Sequence, residues 1–424
     1  MLAVFLISLF VPLFLGVPIA FSLVISGVAM MSASGVFDTQ IIANNLINGA
    51  NNFALMAIPF FILAGEIMNK GGISKRIVGF AMALVGHIRG GLGYVAIIAA
   101  VMFAGLSGSA VADTAALGAI LIPMMISRGY NINYSTGLVA SAGIIAPVIP
   151  PSIGMIVYGV TGGVSITKLF IGGIVPGLIM GLGLITMWML ISRNDNSELP
   201  EHKSFKEIWY ATRQAAWALF LPILIVVGLR GGVFTPTEAG VIAVFYALFI
   251  GMFVYKELKV PDMYQVFIDA AKTTSVVMFI VGASSVVAWM ITVAHIPAEM
   301  ANSLSGILHN HIALLLSIVV FLLITGLVMD MTPALLILVP VLLPIIKQAG
   351  IDPIYFGILM IICLSVGLIT PPVGTVLYVG MGLAKISIFD ITKGVLPFVL
   401  VYLLAIILFI LFPSIVTVPI GWFV

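Results

Sequence analysis

Two short stretches, SGSAVADT from Ser107 and GLVMDMTP from Gly326, concentrate small and oxygen-bearing residues inside otherwise apolar runs. The first supplies Ser107, Ser109, Asp113 and Thr114; the second supplies Asp330 and Thr332. Each is followed by a diproline: Ala146-Pro147-Val148-Ile149-Pro150-Pro151-Ser152 in one case, Gly367-Leu368-Ile369-Thr370-Pro371-Pro372 in the other. Proline has no N–H and crowds the carbonyl four residues back, so paired prolines strip helical partners from several carbonyl oxygens. Carbonyls freed in this way beside hydroxyls form a set of neutral hard oxygens, which suits a dehydrated Na⁺.

This chemistry predicts two cation sites. One uses Ser107 and Ser109 with the carbonyls of Ala146, Ile149 and Pro151; the other uses Asp330 and Thr332 with the carbonyls of Gly367, Thr370 and Pro372. The alternative is a Pro-kinked helix whose own Ser and Thr hydroxyls satisfy the freed carbonyls. Half-helices starting after Ser152 and Pro372 would aim free N–H groups at an anion, and Asp330 could meet a substrate hydroxyl or ammonium; Ser109, Ser152 and Asp330 are the candidate substrate contacts.

Ionisable groups at membrane depth are costly enough to be functional candidates, and Glu66, Asp113, Glu299 and Asp330 are the acids closest to apolar runs. Asp330 could bind cation or substrate, or cap the helix opened by Thr332-Pro333. Glu238, in Thr235-Pro236-Thr237-Glu238, reads as a first-turn capping acid. The five His have no metal-ligand spacing; His87, His202 and His309-Asn310-His311 read as polar-stretch or loop residues. Na⁺ is therefore the only cofactor expected.

The elements that must hold these residues are membrane helices. Of the 424 residues 62% are hydrophobic and 8% charged, against roughly 25% charged in a soluble domain. Apolar runs recur from end to end and predict roughly ten to twelve spans, some interrupted. Met1 to Met31 reads as a retained span, since the first basic residue is Lys70. A net charge of +2 offers no field for nucleic acid, and one cysteine, Cys363, allows no internal disulfide. Arg193, Lys203, Lys206 and Arg213 mark a cytoplasmic connection, with the N-terminus outside.

The chain also repeats itself. Gly105 and Gly326 stand 221 residues apart, and so do Pro123 and Pro344, Gly129 and Gly350, Tyr134 and Tyr355, Pro150 and Pro371, and Pro151 and Pro372. Residues 1–192 form a first half with its interruptions near 105–152, 193–213 a polar linker, and 214–424 a second half with its interruptions near 326–373. Matching Gly/Pro-interrupted segments in two halves point to a secondary transporter whose site lies at the repeat interface. Inverted halves would put Arg128 and Lys347 in opposite aqueous phases.

SGSAVADTAALG (from Ser107), APVIPPSIGMIVYG (from Ala146), FTPTEAG (from Phe234) and GLITPPVGTVLYVG (from Gly367) resemble the large membrane subunit of the tripartite ATP-independent periplasmic (TRAP) transporters. The resemblance covers nearly the whole chain. It implies an all-α integral protein of the bacterial inner membrane, with elevator-type ion-transporter architecture in which the polar cluster and diproline of each repeat form hairpin tips and unwound helices. It also implies Na⁺-driven import of an organic acid, sialic acid before C4-dicarboxylates. The implied partners are a small four-helix membrane subunit and a periplasmic substrate-binding protein.

Three other readings compete. A stand-alone ion-coupled carboxylate transporter would need no partners. Gly105-Leu106-Ser107-Gly108 satisfies the GxSG pattern of intramembrane serine proteases, but such a serine needs a histidine base within reach, and the repeat copy has Val328 in its place. A channel would explain carbonyl-lined breaks but is usually built from short subunits around an axis. The expectation is a transporter and not an enzyme.

Overall fold

The structure, a computed structural model, describes residues 1–194, 204–303 and 306–422, and these residues form helices joined by turns, with no strand among them. Among the described residues eight helices are long and apolar enough to cross a membrane, and shorter apolar helices accompany them.

The chain opens with α1 (Leu2–Phe14), α2 (Ile19–Ala33) and α3 (Thr39–Ala50), the last capped by Asp38, whose carboxylate accepts from Gln40 N at 2.7 Å. The single span expected over Met1 to Met31 is thus two antiparallel helices. Gly16, at φ +85°, and Pro18 turn the chain between them, and Ser8 Oγ donates to Ser26 Oγ at 3.0 Å across the pair. Periodicity alone could not show this, because both helices are apolar and abut without a polar gap.

Next come α4 (Ala57–Lys70) and α5 (Ile73–Val85), then a hairpin of α6 (Gly91–Ser107) and α7 (Ala110–Ser127). A broken crossing follows, α8 (Ile132–Gly143) and α9 (Ile153–Gly162), and then α10 (Ile166–Ile191). Residues 195–203 of the polar stretch lie outside the described residues. From Phe205 on, that stretch is already the first turns of α11 (Phe205–Arg230), whose Ser204/Glu207 capping box starts the helix.

The second half continues with α12 (Pro236–Phe249), α13 (Val260–Val293) and α14 (Ile296–Ser303). A second hairpin, α15 (His311–Gly326) and α16 (Met331–Gln348), precedes a second broken crossing, α17 (Pro353–Gly367) and α18 (Thr375–Ala384); α19 (Ile388–Leu411) and α20 (Ser414–Trp422) finish the described chain.

The repeat is structural. Helix α16 begins and ends 221 residues after α7, and α17 begins 221 after α8. Both hairpins end on a left-handed glycine, Gly129 at φ +84° and Gly350 at φ +75°, closed by the same bond: Tyr130 N to Met125 O at 3.1 Å, Ile351 N to Ile346 O at 3.0 Å. Asn131 and Asp352 then cap the next helices.

Orientation follows from contacts. Trp188 Nε1 donates to Gly90 O at 2.8 Å and Arg89 Nη1 to Arg193 O at 3.1 Å, so the base of the first hairpin shares a face with the end of α10. Tracing the crossings onward, that face also carries Lys256, Lys259 and Lys385 beside Arg128, and this collection of bases in short connections makes it cytoplasmic. Between the hairpin bases the chain crosses through α8–α9, α10, α11, α12 and α13, an odd number, so the second hairpin enters from the opposite face and the repeats are inverted. Helix α2 runs alongside α13, with Phe21 against Phe279 and Gly27 against Val286, which puts Met1 on the outer face.

Two packing groups emerge, each drawing on both halves of the sequence. One gathers α1, α2, α3, α4, α11, α12 and α13; the other gathers the two hairpins, the two broken crossings, α10, α19 and α20. Helices α5 and α14 lead from the first group into the two hairpins. A frame and a hairpin-bearing body joined by short connecting helices is elevator architecture.

Candidate cation and substrate site

At the first tip the helix ends where the sequence demands it. Gly108 takes φ +61°, a conformation open to glycine at no steric cost, and Ser109 is extended. A Cβ on Gly108 would stand 2.5 Å from Pro151 O and 3.0 Å from Ser152 Cα, so the tip rests its backbone directly on the diproline turn. Ser107 Oγ donates to Asp113 Oδ1 and accepts from Ser109 N at 3.1 Å. Ser109 Oγ turns into the cap of α7, accepting from Ala112 N at 3.4 Å.

The second tip is built alike. Val373 N donates to Leu327 O at 3.2 Å, and a Cβ on Gly367 would lie 2.5 Å from Gly326 Cα, so tip and broken helix again meet backbone to backbone. Asp330 occupies the N-cap position of α16, and its Oδ1 accepts from Thr375 Oγ1 at 3.4 Å, which ties the hairpin to the second half of the broken crossing. Thr332 is buried one residue into that helix. Both diprolines contain a cis peptide bond.

Among the described residues no N–H or O–H donates to the carbonyls of Ala146, Ile149, Pro151, Thr370 or Pro372, whereas Gly367 O accepts from Thr370 N at 3.0 Å. Buried backbone carbonyls nearly always have a partner; Ala146 and Pro151 are buried, Ile149 and Thr370 half-buried and Pro372 exposed, so the lack of a donor weighs most at the first loop. The Pro-kink alternative applies in part: Thr370 Oγ1 donates to Val366 O at 2.7 Å, satisfying its own helix. It does not reach the other loop carbonyls.

The structure therefore brings Ser107, Gly108, Pro151 and Ser152 together at one tip, and Gly326, Asp330, Gly367 and Thr375 together at the other. Ser152 is buried and caps α9 through Met155 N at 3.2 Å. The two tips differ in access: Ser107, Pro151 and Ser152 are buried, while Asp330 and Pro372 are exposed.

The sequence places Asp113 and Thr114 in the polar cluster, and Asp113 among the functional acids, but in neither cation site; Thr375 it does not single out. Asp113 and Thr114 are fully buried, and among the described residues Asp113 Oδ2 and Thr114 Oγ1 have no hydrogen-bond partner; Thr375 reaches Asp330. Once the helix breaks at Gly108, a side chain in the first turn of α7 can fold back onto Ser107, which is what brings Asp113 to the tip. Glu238 is the capping acid expected, with Thr235 N donating to its Oε2 at 2.7 Å.

Orphaned oxygens, hydroxyls and donor-free carbonyls fit a hard cation. Among the described residues no group of three or more His, Cys, Asp and Glu gathers to hold a softer metal. Ser107 pairs with an aspartate rather than a histidine, so the serine-protease constellation is not formed. On the cytoplasmic side a cavity of about 470 Å³ lies between α4, α5 and α7, with Glu66, Lys70, Lys75 and Glu257 on its walls.

Residues 6–415 match the family described as tripartite ATP-independent periplasmic transporter, DctM component. The chain is 51% identical over 408 residues to the 2,3-diketo-L-gulonate TRAP transporter large permease protein YiaN of Escherichia coli K12, covering 96% of each chain. It is 36% identical over 402 residues to the sialic acid TRAP transporter large permease protein SiaM of Vibrio cholerae, covering 95% of this chain and 94% of that one. Among solved structures, the Alcanivorax borkumensis YdaH transporter superposes with a TM-score of 0.59 over 88% of this chain and 87% of that one at 16% identity, which is a likeness of fold.

Proposed function

Since the chain belongs to the DctM component family of TRAP transporters, a family of multi-pass bacterial membrane transporters and not of enzymes, we propose that it imports a hydroxyl-bearing organic acid across the inner membrane, driven by Na⁺. The observation that carries this reading is the pair of loops, each holding carbonyls with no donor among the described residues and each pressed on a hairpin tip. One Na⁺ would be held by Ser107 and the carbonyls around Pro151, with Ser109 and Asp113 beside it, and a second by Asp330, Thr332 and the carbonyls of Thr370 and Pro372. Each tip approaches its diproline so closely that an ion between them fastens hairpin to broken helix. Binding therefore favours a closed body able to move against the frame, the elevator mechanism.

Substrate choice draws on the relatives. One is named for 2,3-diketo-L-gulonate and another for sialic acid. Both ligands carry a carboxylate and several hydroxyls, so sialic acid remains a candidate alongside shorter sugar acids, and C4-dicarboxylates rank below them. Half-helix N-termini after Ser152 and Pro372, with Asp330 and Thr375 nearby, would receive the polar ligand.

A chain with no large extramembrane domain among its described residues needs help to capture scarce substrate, and the family is tripartite by description. The proposed partners are a small membrane subunit and a periplasmic binding protein. Proteoliposomes with this chain, alone and with both partners, loaded against a Na⁺ gradient, test the proposal. Uptake should need the gradient and the binding protein together. Full-rate uptake by the chain alone would favour a stand-alone carboxylate transporter.

A further inference from the structure

A second cavity opens on the outer side of the molecule, about 530 Å³ in volume, between frame and hairpin body. Its frame wall carries Asn45, Asn48 and Asn52 from α3 and the turn after it, and Ser285 and Trp289 from α13; Thr161 at the end of α9 faces them. Leu336 and Pro340 of the second hairpin close the side nearest the Asp330 tip. The wall exists because α3 can lie directly on α13. A Cβ on Gly49 would stand 2.1 Å from Ser285 Oγ, and Leu46 O packs on Gly282.

The chemistry of this wall is unlike that of the cytoplasmic cavity. No Lys, Arg, His, Asp or Glu lines it, although four charged residues line the other. Its polar groups keep both donors and acceptors free. Asn45 spends its Nδ2 on Ile41 O at 2.9 Å and keeps Oδ1; Asn52 spends Oδ1 on Ala54 N at 3.0 Å and keeps Nδ2. Ser285 donates to Val281 O at 3.1 Å and keeps its lone pairs. Among the described residues the side chains of Asn48 and Thr161 and the Trp289 indole N–H have no hydrogen-bond partner.

We propose that this cavity is the outer-face binding station for the polyhydroxylated body of a sugar-derived acid. Each hydroxyl of a polyol both donates and accepts, which neutral amides and hydroxyls match, and the face of Trp289 offers an apolar platform for the C–H side of the ligand. Succinate presents two charges and no hydroxyls, so it offers this uncharged wall nothing to pair with, whereas a sugar acid presents a hydroxylated body apart from its single carboxylate. The volume suits a ligand of monosaccharide to sialic acid size. Because the asparagines belong to the frame while Thr161 and Pro340 belong to the hairpin body, the ligand would be released from the asparagines as the body moves. The inference rests on the transport reading above and names where its substrate is recognised.

Asn48→Cys, in a chain with Cys363→Ser, gives the test. In membrane vesicles with Na⁺, alkylation of the introduced thiol by an outside maleimide should slow several-fold with D-gluconate or N-acetylneuraminate and not with succinate, and Trp289→Ala should remove the protection. In reconstituted uptake, Asn48→Ala and Trp289→Ala should each raise the sugar-acid KM about tenfold and leave the half-saturating Na⁺ concentration unchanged. Protection by succinate equal to that by the sugar acids, or unchanged KM in both variants, overturns the proposal and leaves Na⁺-driven transport standing. Failure of wild-type chain and partners to take up any of the three probes under a Na⁺ gradient removes the transport reading, and this proposal with it.

Discussion

Ser109 shows how one side chain can hold two jobs that only measurement separates. Its hydroxyl caps α7, while its backbone belongs to the tip beside Ser107. Loss of an N-cap costs about 1 kcal/mol, and loss of an oxygen ligand to a cation costs on the order of 1.5–3 kcal/mol, or roughly ten- to hundredfold in affinity. Ser109→Ala should therefore lower thermal stability slightly and raise the Na⁺ concentration for half-maximal uptake; a fall in melting temperature with unchanged Na⁺ dependence would make Ser109 a cap only. Asp113 presents a purer case, since its second oxygen is buried and unpartnered. Asp113→Asn should weaken Na⁺ dependence at least tenfold, read from uptake against Na⁺ concentration. Asp330→Asn retains a good N-cap residue but removes the charge at an exposed tip, so its transport defect should persist at saturating Na⁺.

Among the elements, the broken crossings and hairpin tips work by contact between backbones, which makes glycine indispensable at two places. Gly108 has a left-handed φ and no room for a Cβ against Pro151 O. Gly108→Ala should abolish Na⁺-stimulated uptake while the protein still reaches the membrane, because the tip must lift off the diproline. Gly367→Ala meets the backbone of Gly326 instead of a movable side chain, so it should cut both folded yield, measured by size-exclusion of the detergent-solubilised chain, and uptake. Wild-type transport by either variant would show that the tip-to-loop distance does not matter.

The whole molecule imposes a topology that labelling can check. An odd number of crossings separates the hairpin bases, so cysteines placed at Gly129 and Gly350 in a chain with Cys363→Ser should react from opposite sides. Gly129→Cys should be reached from the cytoplasm and Gly350→Cys from outside; reaction of both with a membrane-impermeant reagent applied from the same side would break the inverted architecture. Neither glycine has any atom near a built Cβ, although both have positive φ, so a modest loss of stability is the only structural cost.

Composition alone determined that the chain lives in a membrane, since 8% charged residues cannot cover a soluble surface. The constant 221-residue offset of Gly and Pro revealed the repeat, because those residues set backbone geometry irrespective of neighbours. The expectation that some spans are interrupted is met at 144–152 and 368–374, where the chain turns between α8 and α9 and between α17 and α18. The sequence could not separate α1 from α2, or foresee α5 and α14 as connections between two bodies, because apolar periodicity does not say which helix a face will meet. Nor could it tell a ligand from a cap: Ser109 and Ser152 carry the right oxygens, and only the fold shows where their hydroxyls point. The partnership of Ser107 with Asp113, the closed first tip beside an open second one, and the uncharged outer cavity between α3 and α13 were decided by tertiary structure alone. Each depends on residues far apart in the chain, or across a helix break, being brought within a few ångströms of each other.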